Sequence, residues 1–369
     1  MRLTFLSFLC LLIASPASAA NCNRVIATVA VGDTPAGIAI TPDNRFAYVA
    51  NNNNDSIPGA DTVSVLDLAT NTVIKTISDA SFNEPYTVTI NAAGTKAYIT
   101  NSNGTTITII DIATNTVVGL IGGFDGPSGM VITPDGKTAY VNNYGSPSGV
   151  GSGNATTVRV VDLNTNAIVG APITVDLAPA SLAITPSGTF VYVINYVDGN
   201  PGTGTISIIR TATNTVVGRI RGFSGPFAIA ITPDGSYAYV TNFGSNNFSP
   251  VGTTVSVVDL STNTVIKVIK LGIQPSGIAI TPNGKFAYVT NYNTLYLGAN
   301  FTDLTPGEGT VNIIDICTNT VLCPVIVVGA SPANIAISPD GEFAYVTNYS
   351  ANTVSVINIL DKMWLNVCR

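Results

Sequence analysis

Acidic side chains offer the broadest chemistry in this sequence, because its 369 residues include no histidine. Histidine is the usual general base at neutral pH and the commonest metal ligand, so its absence excludes Ser-His-Asp and Cys-His catalysis and His-ligated zinc or haem. Several carboxylates recur just before turns, where a carboxylate accepts backbone N–H bonds. We therefore expect a structural role for the nine recurring residues, which are Asp43, Asp67, Asp111, Asp135, Asp162, Asp234, Asp259, Asp315 and Asp340.

The acidic residues outside that pattern could serve an enzyme or a calcium site. A lactonase- or lyase-like enzyme would need them to converge on one face, and the candidates are Asp55, Asp125, Asp198 and Glu308. Residues 51–55 with Asp61, and Asp303 with Glu308, offer the oxygen ligands that calcium prefers, but not with a known calcium-loop spacing. No catalytic motif is present. The sequence therefore predicts no catalytic residue and favours a protein that is not an enzyme. It predicts no cofactor, with a bound calcium ion as the alternative.

Aromatic residues form the second group of candidates. Five of them directly follow an Asn that ends a predicted strand, and three more lie in connections between repeats. Rigid amphipathic rings on an exposed face suit a protein or glycan partner, while packing beneath loops is the alternative. The predicted ligand-binding face consists of Tyr144, Tyr196, Phe243, Tyr292 and Tyr349, with Phe82, Phe124 and Phe223.

These residues belong to a unit that recurs seven times, at intervals of 42 to 57 residues. The units begin at Pro35, Pro85, Pro127, Pro179, Pro226, Pro275 and Pro332. Residues 229–242 (IAITPDGSYAYVTN) illustrate a short apolar strand, a Pro-Gly turn and a second strand. A β-branched third strand and an outer fourth strand follow, and no helical period is present. The repeat predicts an all-β, seven-bladed propeller with four antiparallel strands in each blade.

The two ends of the repeat predict how the ring closes. Residues 21–29 match an outer strand with no unit before it, whereas the last unit has three clear strands. We expect the N-terminal strand to complete the last blade. Most loops between second and third strands are long and should lie on one face, as the binding loops of repeat proteins do. The seven loops are 52–61, 102–105, 144–156, 196–204, 243–253, 292–309 and 349–352.

The strand motifs resemble those of the YVTN-repeat β-propeller family. Tyr-Val-Thr-Asn stands at residues 239–242, 288–291 and 345–348, and Thr-Asn-Thr turns follow the third strands. The resemblance covers residues 22–360 and implies an exported bacterial or archaeal propeller, either periplasmic or on the cell surface. One bacterial member is associated with DNA binding, and similar propellers include lactonases and lyases. The resemblance therefore implies the fold without choosing the function.

The charge composition limits the classes of molecule that the protein is expected to bind. The formal charge is −6, and the densest basic group is Arg159, Arg210, Arg219 and Arg221, so the charge balance disfavours nucleic acid. Our leading hypothesis is a binding scaffold for a protein or glycan, with the enzyme and the nucleic-acid-binding propeller as alternatives. No apolar run after residue 20 is long enough to span a membrane.

The first twenty residues predict export. Arg2 precedes an apolar stretch that ends in small residues with A-x-A spacing, which is typical of a signal peptide. The predicted mature chain, residues 21–369, is a single domain in the periplasm, on the cell surface or outside the cell.

Four cysteines remain after residue 20, and an even number in an exported chain favours disulfides. We predict that Cys317 pairs with Cys323 across a hairpin and that Cys22 pairs with Cys368 where the chain ends meet. The second bridge would close nearly the whole chain, for which chain-entropy arguments give about 4–5 kcal/mol. Non-reducing peptide mapping of protein from the producing cells should yield both linked peptide pairs. Free thiols at Cys22 and Cys368 would contradict the second pairing and leave ring closure to strand pairing.

Overall fold

The computed structural model describes residues 23–53, 61–145, 155–197, 202–244, 251–292 and 308–360. Within these ranges every regular element is a β-strand, as predicted. The 28 strands form seven separate four-stranded antiparallel sheets, the blades. The innermost strands of neighbouring blades contact one another around a complete circle. The chain is thus a seven-bladed β-propeller, and its described part contains no helix that could cross a membrane.

Each blade runs from an inner strand beside the central axis to an outer strand at the rim. Blade 1 holds β2 (Pro35–Ile40), β3 (Phe46–Asn51), β4 (Thr62–Asp67) and β5 (Thr72–Ser78); blade 2 holds β6 (Pro85–Ile90), β7 (Lys96–Asn101), β8 (Thr106–Asp111) and β9 (Thr116–Gly122); blade 3 holds β10 (Pro127–Ile132), β11 (Thr138–Asn143), β12 (Thr157–Asp162) and β13 (Ala167–Thr174); blade 4 holds β14 (Pro179–Ile184), β15 (Phe190–Asn195), β16 (Gly204–Arg210) and β17 (Thr215–Phe223). Blade 5 holds β18 (Pro226–Ile231), β19 (Tyr237–Gly244), β20 (Val251–Asp259) and β21 (Thr264–Lys270); blade 6 holds β22 (Pro275–Ile280), β23 (Phe286–Asn291), β24 (Gly309–Asp315) and β25 (Thr320–Val328); blade 7 holds β26 (Pro332–Ile337), β27 (Phe343–Asn348), β28 (Thr353–Asn358) and β1 (Arg24–Ala30).

The N-terminal strand closes the ring, which confirms the prediction. β1 pairs antiparallel with β28, from Arg24 opposite Asn358 to Ala30 opposite Thr353. Asn23, just before β1, accepts a hydrogen bond at Oδ1 from the backbone N–H of Leu360 (2.6 Å). The first and last described segments are therefore joined edge to edge, and β28 has a partner on both sides.

The hydrophobic core lies between blades. Each of its seven clusters combines side chains of two adjacent blades, mostly Val, Ile and Ala from the second and third strands. The tyrosine of each second strand, such as Tyr239, is almost wholly buried among them. A blade by itself would leave its two apolar faces in water, so the stability of each blade depends on its neighbours.

Tyrosine hydroxyls link neighbouring blades at five of the seven interfaces in the described structure. Tyr239 in blade 5 donates to Oδ1 of Asn319 in the outer turn of blade 6 (2.5 Å), and Tyr192 donates likewise to Asn263 (2.8 Å). Equivalent bonds join Tyr48 to Asn115 and Tyr140 to Asn214. At the closure Asn23 takes this place and donates from Nδ2 to the Tyr288 hydroxyl (2.8 Å). Polar partners at the rim therefore satisfy hydroxyls that would otherwise be buried at a cost.

The nine recurring aspartates have the structural role predicted for them. In the Pro-Asp-Gly turns Asp234 accepts from the hydroxyl of Thr232 and from the Ser236 N–H. At the ends of the third strands Asp111 accepts from the hydroxyl and N–H of Thr114. The other seven make the same kinds of contact, namely Asp43, Asp67, Asp135, Asp162, Asp259, Asp315 and Asp340.

The bond between Tyr239 and Asn319 provides a direct test of this linkage. We expect Tyr239→Phe and Asn319→Gly each to lower the free energy of unfolding by about 1 kcal/mol, because each removes one buried partner. Glycine suits position 319, where φ is +53°, so the second variant removes the side chain with little backbone strain. A double-mutant cycle by urea denaturation should give a coupling of similar size. Additive effects would show that the bond contributes nothing.

Candidate functional site

One repeated backbone contact builds the face that carries the long loops. The residue before the first Pro of each unit has a positive φ, between +46° and +56°, in all seven blades. Its carbonyl accepts a hydrogen bond from the N–H of the residue that follows the second-strand Asn. For example, the Gln274 carbonyl accepts from the Tyr292 N–H (3.0 Å), and the Ser331 carbonyl accepts from the Tyr349 N–H (3.0 Å). The seven residues are Thr34, Glu84, Gly126, Ala178, Gly225, Gln274 and Ser331. Blade connections and loops therefore meet on one face, as the sequence predicted.

This contact holds a set of aromatic rings around the mouth of the central channel. Phe243 lies 6.1 Å from Tyr292, and Tyr292 lies 6.5 Å from Tyr349, measured between ring centroids. Hydrogen bonds with Ser331 and Ser350 fix the Tyr292 hydroxyl. These three rings are half-buried. Three of the five predicted rings therefore lie next to one another in space.

Two further rings belong to this set and were missed in the sequence. Phe227 lies 5.2 Å from Phe243, and Tyr86 lines one cavity with Tyr292 and Tyr349 and a second with Tyr144. Both occupy the position after the first Pro of a unit, where the other five units have Ala or Ser. Comparing that one position across the seven units would have identified them. We define the aromatic collar as Tyr86, Tyr144, Tyr196, Phe227, Phe243, Tyr292 and Tyr349.

The collar borders a cavity of about 350 Å³ in the channel. The described residues that line this channel cavity carry no charge. They come from the collar and the inner strands, and include Ser128, Ser181, Ser276 and Asn334. Small residues allow the inner strands to approach closely; a Cβ at Gly37 would overlap the carbonyl oxygen of Tyr86. The cavity therefore offers hydroxyls, an amide and ring faces.

A second cavity of about 200 Å³, the side pocket, adjoins the first and shares Tyr86, Ser128, Ala180 and Phe227 with it. Tyr144, Tyr196 and Gly145 complete one side, and Glu84 and Ser102 the other. Tyr196 is buried and donates its hydroxyl to the Gly244 carbonyl (2.7 Å). The other two predicted rings thus lie here, and Glu84 is a charged group that sequence reasoning missed. It is the one acidic residue among the seven that precede a unit's first Pro.

Glu84 lies beside a second carboxylate. Its backbone N–H donates to Oδ2 of Asp61 (3.1 Å), and Asn103 donates to its Oε1 (3.1 Å). Burial raises the pKa of Glu84, and the Asp61 charge raises it further, against the Asn103 hydrogen bond. Burial also raises the pKa of Asp61. Carboxylates with raised pKa values beside a pocket are frequent at functional sites.

Other predicted site residues lie elsewhere. Phe82, Phe124 and Phe223 are buried in three of the cores between blades, so the structure gives them a packing role instead of a place in the collar. The calcium and enzyme candidates Asn54, Asp55, Asp198 and Asp303 lie outside the described residues, as do Cys22, Cys368 and the side chain of Cys323. The described residues contain no cluster of three or more Cys, Asp and Glu side chains.

The predicted basic group does not form one free patch. Arg219 pairs with Asp176 (3.0 Å), and the guanidinium of Arg210 stacks 5.8 Å from the Phe190 ring centroid.

Comparison with known proteins extends the fold assignment. No family model and no curated protein matches the chain. Among solved structures it is similar to hydrazine synthase of Kuenenia stuttgartiensis, with a TM-score of 0.70 and 23% identity over 88% of this chain and 96% of that chain. At this identity the similarity shows the propeller fold alone.

The raised pKa of Glu84 leads to a stability test. An acid whose folded-state pKa is raised loses stability as the pH increases from its unfolded pKa through its folded pKa. We therefore expect Glu84→Gln to have a higher Tm than the parent chain at pH 7. The two Tm values should converge below about pH 4, where the Glu84 carboxyl is protonated in both the folded and the unfolded chain. Thermal melts across pH 3–8 measure this difference.

The matched control is Glu342→Gln, because Glu342 is exposed in a turn on the opposite face. Its Tm should follow the parent at every pH. A lower Tm for Glu84→Gln at pH 7 would mean that the Glu84 charge stabilises the fold.

Proposed function

We propose that this chain is an exported propeller of the YVTN-repeat type that acts as a binding scaffold. Its loop-rich face, with the aromatic collar at the centre, contacts a protein or glycan partner. The signal-like leader supports export, and the Tyr-Val-Thr-Asn motifs support the family.

The aromatic collar is the observation that carries this proposal. Seven rings from six different blades converge on one mouth, and those in contact are only partly buried. Aromatic side chains with one polar end are enriched at binding hot spots because they bury much area at a small entropic cost. A ring that served packing alone would lie in a core between blades, as Phe223 does.

The channel cavity favours binding over hydrolysis. A carboxylate-based lactonase or lyase would place its acids where a substrate enters, but the described lining of the channel cavity is neutral. Glu84 lines the side pocket instead, and Asp61 lies beside Glu84. Ring faces with a few neutral polar groups instead match the contacts that hold a partner segment.

The test compares capture by two faces of the same protein. The immobilised chain should retain a stoichiometric partner from envelope extract, and its Kd for that purified partner is then measured. We expect Phe243→Ala/Tyr292→Ala to weaken binding by about 2 kcal/mol or more, since central aromatic anchors carry most of an interface's affinity.

The control is Ile266→Ala/Val268→Ala, which removes two exposed apolar side chains from the outer strand of blade 5. That variant should bind as the parent does. Weaker binding by the control alone would place the interface at the rim, and turnover of a lactone panel by the parent would favour the enzyme.

A further inference from the structure

The side pocket combines features of a site for an organic cation. Four aromatic rings and one carboxylate form most of its lining, and no Lys or Arg lies in it. Ring faces attract cations through their quadrupole, and a nearby carboxylate adds a full negative charge. A volume of about 200 Å³ is below that of drug-sized sites, so the pocket suits one small group.

The carboxylate is held in position by its own backbone and its neighbours. Glu84 has φ +49°, a conformation that costs a non-glycine residue free energy. Its carbonyl accepts both the N–H and the hydroxyl of Ser102 (3.0 and 2.9 Å), and Asn103 binds one carboxylate oxygen. The corresponding residue of every blade shares this backbone conformation, so the feature particular to blade 2 is a partly buried carboxylate beside a second one.

No cation in the described part of the chain neutralises this pair. Among the described residues neither Glu84 nor Asp61 has a Lys or Arg within salt-bridge distance. By sequence, the loops and blade connections of this face contain no Lys or Arg; the nearest basic positions are the outer-strand residues Arg221 and Lys270. The field at the pocket therefore favours a positive ligand and opposes an anion.

Most hydroxyls of the side pocket already make hydrogen bonds within the protein. This favours a cation over a sugar as the ligand. Ser102 donates to the Glu84 carbonyl, Ser128 donates to the Ala180 carbonyl (3.2 Å), and Tyr196 donates to Gly244. A sugar needs several free donors and acceptors, whereas an alkylammonium group needs ring faces and one anion.

From this geometry we propose that the side pocket binds an alkylammonium group between the rings of Tyr86, Tyr144, Tyr196 and Phe227 and the Glu84 carboxylate. The inference rests on the proposed binding function of the face and specifies one contact within it. Two sources can supply the group: a free quaternary ammonium compound, or a lysine side chain of the bound partner.

The test uses the purified full chain and no partner. Calorimetric titrations near neutral pH and at low salt compare choline, its uncharged isostere 3,3-dimethylbutan-1-ol, and N-acetyl-lysine methylamide. We expect saturable binding of at least one ammonium compound, about tenfold or more tighter than the neutral alcohol. Tighter binding of choline indicates a free ligand, and tighter binding of the lysine amide indicates a partner side chain; both support the shared chemistry.

Variants then locate the site. Glu84→Gln should weaken ammonium binding at least tenfold without lowering Tm, and Tyr144→Leu should weaken it because the apolar volume stays while the ring face is lost. Glu342→Gln should bind as the parent does.

Three results would overturn the inference: equal affinity for choline and the neutral alcohol, unchanged binding by Glu84→Gln, or no binding of either ammonium compound. None of them depends on the channel rings Phe243 and Tyr292, so the inference and the proposed function can fail separately.

Discussion

The tyrosine hydroxyl that reaches from one blade into the outer turn of the next is the contact on which the arrangement of the ring depends. Apolar contacts between blades are numerous but non-directional, and they would tolerate sliding of one sheet over another. A hydrogen bond from Tyr239 to the left-handed Asn319 is directional, and its repetition at three further interfaces constrains the blade-to-blade offset there. At the closure the direction is reversed: Asn23 in the N-terminal segment donates from Nδ2 to the Tyr288 hydroxyl, so that segment supplies both the closing strand and a link to blade 6.

Once the blades are fixed, the loop face follows from two backbone facts. The residue before each first Pro is left-handed, and its carbonyl receives the N–H that follows the second-strand Asn. The residue after the second-strand Asn lines one of the two cavities in six blades, and in blade 2 Glu84 at the first position does so as well. Evolution of a binding site on this frame needs only changes of residue type, because the backbone already places them. Tyrosine and phenylalanine occupy the second position in five blades, and glutamate occupies the first in one.

Burial distinguishes the carboxylates with structural roles from the pair beside the side pocket. The recurring aspartates lie in turns and bind neighbouring N–H groups and hydroxyls, which lowers the pKa of Asp111 and Asp234. Glu84 and Asp61 show the opposite shift: burial raises the pKa of both against their hydrogen bonds, and the Asp61 charge raises the pKa of Glu84 further. The direction of these shifts distinguishes carboxylates that stabilise the fold from a pair that a ligand could neutralise.

The sequence alone determined the seven blades, the four strands of each, the closing strand and the common face of loops and connections. These follow from a repeat whose period, turn residues and β-branched runs have few alternative packings. It also indicated the rings at 144, 196, 243, 292 and 349. Tertiary structure decided which rings meet: Phe82, Phe124 and Phe223 pack between blades, while Tyr86 and Phe227 enter the collar from inner strands. Glu84 and Asp61 are 23 residues apart in the chain, and their proximity likewise depends on contact between two blades. Local pattern gives the strand and the face of a residue, but its neighbours across a blade interface are set only when the ring closes.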